Sequence, residues 1–342
     1  MSDRKEQHLR IAADLDVGSC HTTGLERYAL LPCALPEMAL DDVSVKTRFL
    51  GHELGAPLLL SAMTGGTRRA HEINRRLAAA AQRRGLAMGL GSQRVALEGA
   101  EPMASYRVRE VAPDVLLLAN LGAVQLNLGF GLEECHHAVE AVGADGLVLH
   151  LNALQEAIQP EGNTDFRGLF SKIARLCRQA PYPVIVKEVG WGISGEVARQ
   201  LEVAGVAAVD LAGSGGTSWS RVEGHRLASE EERQVAAAFD DWGLPTAEAL
   251  VQAREACPKL PLIASGGIVT GVEVAKCLAL GANLTGMARP LLHAALESDR
   301  ALEQQLDVIL RQLGIAMFCC GARTVADLGS ERIFVRGARH AT

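Results

Sequence analysis

The chain has few aromatic residues: Phe, Trp and Tyr together make up 4% of it. Its core must therefore be built from Ala, Val and Leu, which suits an α/β protein. An excess of positive charge is also missing. The formal net charge is −6, and apart from the pair Arg4-Lys5 the basic residues are scattered. Nothing in that balance points to nucleic acid. No CxxC pair occurs among the eight cysteines; Cys319 and Cys320 are adjacent and the others lie far apart. A chain of 342 residues needs no covalent staples, so these read as free thiols of a reducing compartment. The charged start, Met1 to His8, has no apolar stretch of the secretory kind. No apolar run reaches the length of a membrane span. The expectation is a soluble cytoplasmic protein with neither a membrane nor a nucleic-acid partner.

What the chain does have is apolar residues, 48% of the total, and 35 glycines. Short apolar runs of β type alternate with longer amphipathic stretches. Strands are expected at 57–62, 86–90, 115–119, 146–150, 183–189, 206–212, 261–265 and 284–288. Helices are expected at 70–84, 103–111, 132–142, 166–179, 194–204, 246–256 and 271–280, with a last helical stretch after Pro290. A repeating strand–helix order implies a parallel sheet with right-handed crossovers. Eight units favour closure into a (β/α)₈ barrel over an open sheet. Residues 1–56 precede the first strand and are expected to cap the barrel bottom or fold over its mouth. Residues 213–245, after strand six, are too many for a simple loop and carry an acidic helical patch at 229–233.

In such barrels the active site lies at the C-terminal ends of the strands, and polar and glycine-rich residues collect at seven of those ends here. Ser265-Gly266-Gly267 ends strand seven, and Gly286-Met287-Ala288-Arg289 ends strand eight. Glycines let a backbone come close, and amides at helix starts point at an anion, so the two loops together read as a phosphate site. Lys187 sits near the end of an otherwise apolar strand. It needs an anionic or electron-rich partner, either a strand-end carboxylate or a reduced flavin ring. The strand-four exit is the most polar. It carries His150, the neutral amides Asn152 and Gln155, and Glu156. Glu156 either holds Mg²⁺ through oxygen or stands as a helix-start carboxylate. Arg94 closes the second loop as a diphosphate clamp or a surface ion pair. Arg4, Lys5 and His8 share helical spacing; taken alone they describe a solvated face. Met63 is apolar filling, beside a ring or in the core.

Taken together, these motifs resemble type 2 isopentenyl-diphosphate isomerases over about residues 4–328. They are Arg4-Lys5-x-x-His8, Thr22-Thr23-Gly24-Leu25, Ala62-Met63-Thr64-Gly65-Gly66, Gly91-Ser92-Gln93-Arg94, His150-Leu151-Asn152-Ala153-Leu154-Gln155-Glu156, Thr164-Asp165-Phe166, Val186-Lys187-Glu188-Val189-Gly190, Gly213-x-Gly215-Gly216-Thr217-x-Trp219 and Ser265-Gly266-Gly267. The resemblance implies an isomerase of isopentenyl and dimethylallyl diphosphate that uses FMN, with NADPH as its reductant and Mg²⁺ on the diphosphate. Carried over residue by residue, Ala62, Met63, Thr64, Ser92, Asn120, Lys187, Thr217, Gly266, Gly267, Ala288 and Arg289 hold FMN. Arg4, Lys5, His8, Arg94, His150, Asn152 and Gln155 line the substrate site, and Glu156 binds the metal. Gln155, Lys187 and His150 stand closest to the chemistry. Moving a double bond changes no oxidation state and needs a strong acid with a placed conjugate base, a role that falls to reduced FMN. The resemblance also implies a homotetramer or homo-octamer. The barrel then spans 57–328, and the basic tail 329–342, which has no match, is expected to lack fixed structure. An FMN-dependent α-hydroxy-acid oxidoreductase and a non-catalytic flavin-binding barrel share the fold. The former wants a His base and an Arg after strand six, where this chain has no His before His225.

Overall fold

In the computed structural model, which describes residues 2–63, 65–99 and 102–337, eight parallel strands close into a barrel. In chain order they are β1 Leu58–Leu60, β2 Ala87–Gly89, β3 Leu117–Gly122, β4 Gly146–Leu151, β5 Val184–Glu188, β6 Ala208–Asp210, β7 Leu262–Ser265 and β8 Leu284–Met287. Each overlaps a run expected from the sequence. They are largely apolar because both faces are covered, with polar residues gathered toward their C-terminal ends. One set of alternate side chains (Leu59, Ala87, Leu118, Val148, Ile185, Ala208, Ile263 and Leu284) fills the barrel. The other set, with Leu60, Met88, Leu117 and Leu149 among it, packs outward against the helices. Helix Arg68–Arg84 illustrates the ring. Thr67 caps it by accepting from the Ala70 amide, and Gly85 ends it in the left-handed region.

The N-terminal extension takes both positions that the sequence left open. The hairpin Thr47–Phe49/His52–Leu54 puts Phe49 and Leu54 against the interior side chains at the strand starts, closing the barrel bottom. Helix Ser2–Asp14 crosses the opposite end. Its Ile11 forms a small apolar cluster with Val17 and Val222, against which Trp219 packs, and its Leu9 joins the main core.

Two expectations differ from the structure, and the helical patch expected after β6 is present. The expected helix at 103–111 is only a short 3₁₀ turn, Met103–Tyr106. Tyr106 and Val108, two residues apart, are both fully buried, which a helix would place on different faces. The tail does have structure up to Gly337: Ile333–Val335 pairs antiparallel with Tyr28–Leu30. A three-residue strand whose partner lies some 300 positions away leaves no local signal. Residues 338–342 lie outside the described residues. The long stretch after β6 holds helix Trp219–Gly224 and helix Glu230–Ala237, the latter capped by Ser229 and Glu232.

Candidate functional site

The strand ends and helix Ser2–Asp14 enclose a cavity of about 590 Å³. Every described residue that the sequence assigned to the site lies on its wall. Thr64 is outside the described residues.

One side is cationic. Arg4, Lys5 and His8 occupy one face of helix Ser2–Asp14 and turn into the cavity. Arg4 lies 3.5 Å from Glu161. Lys5 donates to the Ser92 carbonyl at 3.3 Å and reaches the Tyr106 hydroxyl, which itself donates to the Ser92 carbonyl at 2.7 Å. His8 Nε2 lies 3.0 Å from a Glu223 oxygen, and its ring meets Trp219 edge to face. Arg94 also faces the cavity. Four positive or potentially positive groups thus face one mouth of the cavity.

The β4 exit joins these groups to the floor. His150 Nδ1 is 2.9 Å from Asn120 Oδ1. Burial, then the nearby Lys187 and Arg94 charges, push the imidazole down to about 4. It therefore stays neutral at neutral pH and acts as a hydrogen-bonding group. Its folded value lies below the 6.5 of a free imidazole, so the unfolded chain takes this proton first as pH falls. The stability that comes from keeping it neutral is complete above pH 6.5 and is lost as pH drops through about 4. His150→Gln should flatten that slope, by up to ~1.4 kcal/mol per pH unit, in denaturant titrations run from pH 7.5 to 4. A slope identical to that of the parent would contradict the assignment.

Asn152 donates to Gln155 at 3.1 Å and to Glu156 at 2.9 Å, while its own Oδ1 has no partner. The second Glu156 oxygen accepts from Gln159 at 2.7 Å and from the Asn163 amide at 2.6 Å. The carboxylate is thus buried and fixed in place. No group of three or more His, Cys, Asp or Glu able to hold a metal exists among the described residues. A cation at Glu156 would need its other oxygens from a ligand. Gln155 donates to Glu223 at 2.7 Å. Glu223 was not expected from the sequence. Burial opposes its ionisation, but His8, Gln155 and Arg226 together bring it down to about 2. Trp219 and Glu223 are four apart on one face of a six-residue helix.

The phosphate loops differ from the expectation in one respect. The helix after β7, Gly271–Ala279, is closed by its own capping box of Thr270 and Glu273, so its amides are occupied. The helix after β8, Arg289–Glu297, has no side-chain cap. Among the described residues the amides of Gly267 and Arg289 donate to no protein acceptor. The amides left open to an anion at these two loops are therefore those of the Gly267 bend and the second helix start. Gly267 has φ +73, and a Cβ there would lie 2.3 Å from the Gly215 carbonyl oxygen. Gly267→Ala should lose FMN retention and at least ~1–2 kcal/mol of stability, the cost of a left-handed non-glycine residue. Normal flavin content in the purified variant would contradict this placement.

Lys187 reaches the cavity from β5. Its ammonium donates to the Glu188 carbonyl at 2.9 Å and lies 3.3 Å from Asp210 Oδ2 on β6. Asp210 was also missed from the sequence, although a lone acid in the run Val209-Asp210-Leu211 is the same signal that marked Lys187. The Glu188 side chain turns away and accepts from the Val189, Gly190 and Trp191 amides. Burial nevertheless pushes it up to about 7. His225, the first His after β6, does not line the cavity.

A family model described as FMN-dependent dehydrogenase matches residues 133–335. The isopentenyl-diphosphate delta-isomerase of Synechococcus sp. is 54% identical over 320 residues, 93% of this chain and 92% of the relative. That of Nostoc sp. is 50% identical, with 95% and 93% covered, and that of Rickettsia canadensis 46%, with 97% of each. Among solved structures, a mandelate oxidase variant carrying a monooxide FMN adduct superposes with a TM-score of 0.68 at 19% identity, over 95% and 94% of the two chains. A flavocytochrome b2 variant with sulfite bound gives 0.69 at 18%, over 98% and 84%. At those identities the last two establish the fold alone.

Proposed function

The chain belongs to the isopentenyl-diphosphate delta-isomerase family and carries an FMN-dependent dehydrogenase domain, and from that premise we propose that it interconverts isopentenyl and dimethylallyl diphosphate in this cavity with FMN bound. One observation carries the reading: a cation-lined mouth for a diphosphate and a glycine cradle for a phosphate open into the same cavity, with Lys187 and the β4 amides between them. The residues fit FMN. A Cβ would fill the Gly266-Gly267 bend, the Gly267 and Arg289 amides are available to a phosphate, and Lys187 lines the same cavity. Ala62, Met63, Ser92, Asn120, Thr217 and Ala288 complete that wall. FMN, once bound and reduced, would supply an exchangeable proton.

The protein's own groups then do the following. Arg4, Lys5, His8 and Arg94 hold the diphosphate and exclude water from above. Asn152 and His150, both neutral, orient the substrate by hydrogen bonds. Gln155, held by Glu223, faces the reacting carbons as an orienting group or a relay, since an amide is no strong base. Glu156 would hold Mg²⁺, which would supply positive charge to the diphosphate. NADPH is the proposed reductant. Glu156→Gln should flatten the Mg²⁺ dependence of the rate and raise KM roughly 10-fold or more, the cost of one lost charged contact. An unchanged Mg²⁺ titration would remove the metal from this residue.

We further propose a cytoplasmic homo-oligomer, tetramer or octamer. No helix among the described residues is long and apolar enough to cross a membrane, and light scattering reads the oligomer directly. The reading as a whole is tested by incubating the protein with FMN, NADPH, Mg²⁺ and isopentenyl diphosphate. Dimethylallyl diphosphate is the expected product; a bound flavin spectrum without turnover would favour a flavin-binding barrel.

A further inference from the structure

Lys187 does not meet the cavity as a lone cation. Lys187 and Asp210 are direct neighbours in the β5–β6 register, with the Nζ to Oδ2 distance at 3.3 Å. Asp210 is 1% exposed and is not on the cavity wall, whereas Lys187 and Ser265 are. Its Oδ1 accepts from the Ser265 hydroxyl on β7. Among the described residues its Oδ2 has no hydrogen bond and lies 3.3 Å from the ammonium. A buried carboxylate at that distance, in a low-dielectric surround, offsets much of the cation's field on anything placed beyond it. Three adjacent strands thus combine to control one charge.

We infer that Asp210 is a positioning residue that sets the charge Lys187 presents to the flavin ring. This inference rests on the FMN reading above. With the pair intact, the ring faces a nearly neutral couple. Negative charge placed on the ring by reduction is then only partly compensated, and the reduced ring keeps its proton. That is the state an acid needs. With Asp210 neutralised, Lys187 would become an uncompensated cation that stabilises added electrons and favours loss of that proton. Asp210 reaches no ligand itself; it acts wholly through Lys187.

The test is an anaerobic redox titration of the FMN-loaded protein. Asp210→Asn, close to isosteric, should raise the two-electron midpoint potential by about 30 mV or more, a tenfold change for such a couple. The double variant Lys187→Met/Asp210→Asn, with no buried unpaired charge, should return to within that interval of the parent. A bound flavin whose potential is the same in Asp210→Asn as in the parent would overturn the inference, because it would leave Asp210 a purely structural role. If Asp210→Asn does not accumulate folded, Ser265→Ala gives the second reading. Removing the hydroxyl donor concentrates the carboxylate's charge on Lys187, so the potential should fall, and an unchanged value overturns the inference. Parent protein that binds no FMN would sink the underlying reading, an outcome distinguishable from both.

Discussion

Deleting residues 1–8 is expected to raise KM for isopentenyl diphosphate by at least about 100-fold while FMN remains bound. Arg4, Lys5 and His8 lie on the deleted turns and face the cavity. Hydrogen bonds to charged groups contribute about 1.5–3 kcal/mol each, so losing even two costs ~3 kcal/mol. At about 1.4 kcal/mol per decade that is roughly two decades in affinity. Gly267 and Arg289 lie outside the deleted residues, and the Leu15 carbonyl that Arg289 donates to at 3.2 Å survives the cut, so flavin content should not follow. The apolar anchors Leu9 and Ile11 survive the cut, which keeps the remaining helix docked. Few buried side chains hold this segment, as suits a cover that opens and closes. A deletion variant with normal KM would return the cluster to a solvated face. One that lost FMN would make the segment structural.

Replacing FMN by 5-deaza-FMN should lower kcat by on the order of 10²–10⁴-fold, the usual worth of a placed general acid, without loss of cofactor binding. The argument is one of elimination among the side chains at the site. Gln155 does not ionise. His150 is pushed down to about 4 and carries no proton to give at neutral pH. Glu223 is held at about 2 and stays ionised. Glu156 is tied by Asn152, Gln159 and the Asn163 amide. Lys187 is engaged with Asp210. Neither His150 nor Glu223 sits at the near-neutral pKa that suits proton transfer at physiological pH, and Glu188, pushed up to about 7, is turned away to the Val189, Gly190 and Trp191 amides. Full turnover with the deaza cofactor would oblige the mechanism to be rebuilt around Gln155, His150 or a bound water.

The eight strands were legible because each is a mostly apolar run bounded by turn residues, repeated between helical stretches. The glycine loops and the polar strand exits were legible because only backbone approach and ligand contact call for such residues there. What escaped depends on neighbours distant in sequence. Asp210 reads as a defect in an apolar strand until β5 places Lys187 beside it. Glu223 sits in a stretch whose helix is six residues long, too short for periodicity to reveal. The strand Ile333–Val335 exists because Tyr28–Leu30 offers it a partner. At 103–111 the apolar spacing suggested a helix, but Tyr106 turns inward to the Ser92 carbonyl, and tertiary packing overrode local preference.

The most direct test of the central claim, an isomerisation in which flavin cycles no electrons, is a count. Under anaerobic conditions the enzyme would be supplied with FMN, Mg²⁺, excess isopentenyl diphosphate and a sub-stoichiometric amount of NADPH, and dimethylallyl diphosphate would be measured against NADPH oxidised. The account predicts many molecules of product for each NADPH consumed, with NADPH loss stopping once the flavin is reduced. Product formed one for one with NADPH would contradict it.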